Sequence, residues 1–382
     1  MTVSVSITRW ALLGLLLVLL SYCSGGTGGT GSPVVASGTV TGFGSIVVNG
    51  IAFDIASATI TLDGQHGSAA ALRLGHVVTV RGTLDSGGTV GTAETVLVET
   101  NATGPIASID HTANRLVVLG QSVRVDGTTQ FGATPLSALV VGNIVELSGF
   151  SDADGVLRAT RVDKTQDAFT PGTAIAIDGT ITNLDAEHQT FTLNMLRVDF
   201  AAARLLNLPA DQLRHGQIVA VKSAHNVVDG VLFADSVAVK DVRIQGNPGE
   251  RVEFEGLITR VTAADTFEVN GRPVRFTPAT VFEGGTAADI VLNGRVEVEG
   301  FFAADGVLVA TEIDFLVEFE GLITRVTAAD TFEVNGQPVR FTPVTVFEGG
   351  TAADIALNGR VEGKGFFAAD GALVATEIEF LQ

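Results

Sequence analysis

Apolar and polar residues alternate in short runs along most of the chain, with turn residues between them. Val78-Thr79-Val80, Val145-Glu146-Leu147 and Val296-Glu297-Val298 each put two apolar side chains on one side and a polar one on the other. A period of two marks a half-buried β-strand. Asn-Gly pairs close several runs, at Asn49-Gly50, Asn270-Gly271 and Asn335-Gly336. Both central residues of a type I′ turn need positive φ, so Asn-Gly between alternating runs predicts a tight hairpin. Leu119-Gly120 and Asn194-Met195 stand at the matching points of other runs and predict turns of a different kind. Further turns are predicted at Asp154-Gly155, Asp229-Gly230, Asp305-Gly306 and Asp370-Gly371.

The runs recur as a unit. Val252–Leu316 and Val317–Leu381 align at an offset of 65 and differ at seven positions: Arg272/Gln337, Ala279/Val344, Val291/Ala356, Val298/Gly363, Glu299/Lys364, Val307/Ala372 and Asp314/Glu379. More diverged copies lie upstream, which gives five repeats at 37–100, 104–165, 177–241, 252–316 and 317–382. Each places an alanine at one equivalent point, Ala93, Ala159, Ala234, Ala310 and Ala375, which predicts close approach to a neighbouring strand. Five strands in a unit of this size, with two hairpins and a longer third-to-fourth connection, predict a small OB-like barrel. The fold class is therefore all-β, a tandem array of five small five-stranded OB-like barrels. Segments with Pro171-Gly172 and Pro248-Gly249 read as linkers. They divide the chain into repeats one and two, repeat three, and a separable pair of repeats four and five.

Composition adds exclusions. The chain has 45 glycines in 382 residues and a net charge of −19. Residues 252–381 carry 21 acidic and 8 basic side chains. An acidic surface repels phosphate backbones, so nucleic acid is not an expected partner. The single Trp10 and single Tyr22 both lie near the N-terminus, and phenylalanine supplies the other aromatic side chains.

Residues 1–22 read as a signal peptide. Arg9 is followed by the ten-residue apolar run Ala11–Leu20, which is too short to span a bilayer and right for a signal core. Leu20-Ser21-Tyr22-Cys23 resembles a bacterial lipobox, with Tyr22 departing from the small residue preferred there. The lone Cys23 is the expected lipid attachment point. Residues 23–36 form a Gly/Ser/Thr-rich tether that would carry the repeats clear of the headgroups. This places the protein in the cell envelope, as an outer-membrane or periplasm-facing lipoprotein, with the membrane as a partner through the lipid.

Chemistry is sparse. The six histidines show no HxH, HxxxH or HxxEH spacing and read as surface residues, with no cofactor or metal expected. Asp152-Ala153-Asp154-Gly155 resembles part of a calcium loop but reads as a hairpin turn. The one acidic constellation is Glu253, Glu255, Glu297 and Glu299. Strands one and four are neighbours in the expected barrel, so these carboxylates should meet on its solvated outside, a weak candidate cation site.

Gly38–Asp54 (GTVTGFGSIVVNGIAFD) and Leu72–Leu84 (LRLGHVVTVRGTL) resemble an uncharacterised bacterial repeat family, domain of unknown function 5666. The similarity is good over residues 37–165 and weaker beyond. It implies envelope location and repeat architecture, and no activity. The functional expectation is a non-catalytic lipid-anchored scaffold or binding module with an unknown protein or ligand partner. The alternative is a periplasmic protein binding a small ligand or a divalent cation through its acidic C-terminal repeats.

Overall fold

The computed structural model describes residues 31–206, 212–240, 246–315, 317–368 and 372–381. The expected signal peptide, Cys23, most of the tether and the Asp370-Gly371 turn lie outside these residues. Strands alternate as the pattern predicts: Val77–Leu84 is half-buried and buried by turns along its whole length. No α-helix occurs among the described residues; single 3₁₀ turns such as Ala69–Ala71 and Ala287–Asp289 bridge the third and fourth strands.

Repeat five shows the unit in its simplest form. Its strands are Val317–Ala328, Thr331–Val334, Gln337–Glu348, Arg360–Phe367 and Leu373–Leu381. They close a barrel in the order one, two, three, five, four, with four returning to one. The third and fifth strands run parallel and the other pairs antiparallel. The same circuit closes in repeat one, where the third strand is broken into Ile51–Asp54 and Thr59–Leu62, in repeat two, in repeat three and in repeat four.

Local chemistry explains the turns. Asn49, Asn270 and Asn335 have φ near 50° and are followed by a glycine at positive φ. Leu119-Gly120 makes the same turn, with Leu119 at φ 50. The expectation of a different turn there was mistaken, because burial outweighs the steric penalty of a left-handed leucine. Leu119 is 2% exposed and packs into a core shared by repeats two and three. The recurring alanine does mark a close approach. Gly82, Gly149, Gly300 and Gly365 face Ala93, Ala159, Ala310 and Ala375 at a register shift between strands four and five. A Cβ on Gly149 would stand 2.1 Å from the Arg158 carbonyl oxygen.

The barrels do not hang as beads. The first strand of repeat one, Ser32–Gly42, is buried on both faces from Val34 to Val40. Its outer edge pairs in parallel with the first strand of repeat four, Arg251–Ala263, from Val34 opposite Arg251 to Ser37 opposite Phe254. Val34 and Ala36 face the core of repeat one while Val35 joins that of repeat four. Repeats two and three pair through Ala102–Asp110 and Ile175–Asp185 and share a single core. Repeat five keeps its own core. Repeat two also meets repeat four, where Ala153 donates its N–H to Asn293 and Arg295 lies over the Phe150 ring. These partnerships cut across the division expected from Pro171-Gly172 and Pro248-Gly249. Repeat one takes its sheet partner from repeat four rather than from its chain neighbour, while repeats two and three do pair as chain neighbours, because open strand edges are satisfied by whichever repeat folds back onto them.

Candidate functional site

The acidic constellation lies where the first strands of repeats one and four meet. Glu253 stands opposite Glu299, and Glu255 opposite Glu297, in one antiparallel register. The four do not lie on an open solvated face. Glu253 is 1% exposed, and none of the other three is fully exposed. Arg251 Nη2 sits 2.5 Å from Glu253 Oε1 and 3.0 Å from Glu299 Oε2. Arg295 Nε donates to Glu255 Oε1 at 2.6 Å, and the backbone N–H of Thr39, in repeat one, donates to Glu255 Oε2 at 2.9 Å. Burial pushes the Glu297 carboxyl up to about 8, helped by the negative charges of Glu255, Glu253, Asp314 and Glu299. Burial and Glu299 raise Glu253 to about 7 against the pull of Arg251. For Glu255 burial is overcome by Arg295 and Thr39, and its carboxyl lies below the usual range. Two guanidinium groups thus answer part of the negative charge at a contact between repeats.

A second constellation joins repeats one and two. His76 ends the Leu74-Gly75-His76 segment before the fourth strand of repeat one. Glu146 lies on the fourth strand of repeat two, Ile144–Ser151, directly opposite Asp163 on the fifth, Leu157–Gln166. One ring nitrogen of His76 and one carboxylate oxygen from each acid all lie within 4.8 Å of one another. The segment is clamped. Arg161 Nη1 donates to the Leu74 carbonyl at 2.7 Å, and Thr160 Oγ1 to the Gly75 carbonyl at 2.6 Å. Arg161 also grips Asp163 with two donors, Nη2 reaching Oδ1 at 2.6 Å and Nε reaching Oδ2. His76 is 3% exposed and its Nδ1 is buried without a hydrogen-bond partner. Burial, reinforced by Arg161, lowers its pKa to about 4, so the ring is neutral at pH 7. Burial and the charges of Asp63 and Asp163 raise that of Glu146.

Sequence reasoning missed this group because it searched for ligands at short spacings, whereas these come from different barrels. The single available signal was Glu146 itself, a charge on the polar side of a predicted strand. His66, His111, His188, His215 and His225 are exposed, as read from sequence; His76 is the exception. Asp152 caps a hairpin, accepting from the N–H groups of Asp154 and Val156. An open cleft of about 430 Å³ lies between Phe169, Pro171, His225 and Phe233.

These features define a class of protein: all-β, built from tandem closed barrels that meet through charged contacts. The family described as Domain of unknown function (DUF5666) matches the chain at residues 34–96, 103–163, 178–238, 255–314 and 320–379, and the chain belongs to that family. A comparison with the curated proteins found no match. Among solved structures the chain is similar to "drosophila Unr CSD456", with 16% identity over 54% of this chain and 97% of that one. The TM-score of 0.14 is too low to bear on fold or function.

Proposed function

We propose that the protein is a non-catalytic, lipid-anchored module of the cell envelope, in which OB-like barrels form one stiff body that scaffolds or binds a protein or ligand partner. The observation that carries this reading is the use of polar barrel faces as contacts between repeats. The backbone N–H of Thr39 in repeat one donates to Glu255 of repeat four, and Arg161 reaches from repeat two into repeat one. Such contacts favour a fixed spacing over a flexible string. The strand order one, two, three, five, four, with a long third-to-fourth connection, supports the OB-like assignment. The net charge of −19 argues against nucleic acid as the partner. Cation binding through the acidic C-terminal repeats gains little support, because three of the four carboxylates contact arginine.

The anchor is tested by intact mass and fractionation. The mature protein should begin at Cys23, carry acyl chains and lack both Trp10 and Tyr22, so that it barely absorbs at 280 nm. Each buried methylene contributes about 0.8 kcal/mol, so two or more chains hold the protein stably to a membrane. Cys23→Ser should abolish the lipid mass and leave precursor or a soluble form. A membrane-bound species that keeps Trp10 and carries no lipid mass would overturn the reading.

A further inference from the structure

We propose that His76, Glu146 and Asp163 bind a first-row divalent cation of the zinc and cobalt class, and that the ion fastens repeat one to repeat two. Three independent features converge. The first is geometry: one ligand atom from each residue lies within 4.8 Å of the other two. Ligands about 2.0–2.1 Å from a tetrahedral ion stand roughly 3.4 Å apart, so closure by at most about 1.4 Å brings the set into bonding range.

The second is that two of the three side chains, His76 and Glu146, are unpartnered. The buried Nδ1 of His76 has no hydrogen bond. A buried polar atom without a partner is uncommon and calls for an explanation such as an ion. Glu146 makes no hydrogen bond or ion pair among the described residues, although charged neighbours act on it. An imidazole and a carboxylate are thus held side by side without bonding to anything else.

The third is the surrounding shell. Asp163 gives one lone pair on each oxygen to Arg161, and each oxygen keeps another. A ligating carboxylate is usually itself hydrogen-bonded by an outer partner, and Arg161 fills that place for Asp163. The Arg161 charge also keeps the group near balance. Two carboxylates and one guanidinium leave a single negative charge, which a divalent ion converts to a single positive one. One nitrogen and two oxygens suit zinc or cobalt better than calcium or magnesium, which favour all-oxygen sets. Water or a further donor would complete the coordination.

The experiment uses the untagged full chain carrying Cys23→Ser, so that no thiol competes, stripped with chelator and titrated with Co²⁺ alone. The expected result is one Co²⁺ per chain with visible d–d bands, bleached by Zn²⁺, and a rise in melting temperature with bound metal. Glu146→Gln and Asp163→Asn keep shape and lose charge. Each should weaken Co²⁺ binding at least about 10–100-fold, the loss that even outer-shell changes cause. His76→Gln should do the same. If it fails to fold, the Glu146→Gln comparison decides. His225→Ala, at an exposed histidine facing Asp235, should leave binding unchanged. Absence of d–d bands in the folded parent would overturn the proposal. So would bands that survive Glu146→Gln, which would assign them to surface histidines, or uptake of Ca²⁺ in place of Co²⁺.

Discussion

A carboxylate surrounded by other carboxylates stores a pH dependence. Glu297 titrates near 8 and Glu253 near 7, both above the ordinary 4.5. The folded protein therefore holds protons there that the unfolded chain has already released. Stability falls with pH wherever the folded state binds more protons. The stabilisation is fully present below about pH 4.5 and is lost as pH rises to about 8. Asp178, raised to about 6 by burial, adds to the slope at its lower end. The melting temperature followed by circular dichroism should accordingly drop between about pH 6.5 and 8.5, above the range in which the lowered pKa of His76 acts in the opposite direction. Glu297→Gln should flatten the upper part of that drop, and an unchanged slope would refute the assignment. At this scale the sequence showed the Asn-Gly turns, the five alanines and the pairing of strands one and four. It did not show Leu119 at positive φ, since nothing local reveals that a leucine is buried against another repeat.

At the scale of strands, the shift between strands four and five governs closure of the barrel. Gly149 meets the Arg158 carbonyl and the Ala159 backbone, neither of which can yield as a side chain would. Gly149→Ala should destabilise by about 1–3 kcal/mol, the usual penalty of overpacking. Urea unfolding checks this, and a neutral substitution would show that the crossing has slack. The near-identical repeats four and five show how context was hidden from sequence reasoning. Glu299 pairs with Arg251, and its equivalent is Lys364. Arg272 is half-buried with its guanidinium over the Phe254 ring, while its equivalent, Gln337, is 2% exposed beside Gly127 of repeat two. The Gln337 difference marks where its copy meets another repeat, which is legible only once that contact is known.

For the whole molecule, repeats were legible because local patterns define each barrel, whereas assembly depends on which edges find one another. A chain cut to residues 246–382 would expose the Arg251–Phe254 edge and deprive Glu255 of the Thr39 N–H. Sedimentation should show association, and repeat four should melt at least about 4 °C lower than in the whole protein, as roughly 1 kcal/mol does in a small domain. A monomer of unaltered melting temperature would show that the pairing adds no stability. The same parallel contact also sets a timetable. Thr39 and its partner Glu255 are 216 residues apart. At about 5–20 residues per second, a growing chain leaves that first strand waiting roughly 10–40 s for its mate. Repeat four then emerges ahead of its near-twin by an offset of 65 residues. Birth order therefore gives the correct copy first claim on the waiting strand, a precedence that a chain refolded from denaturant, with both twins present from the start, does not enjoy.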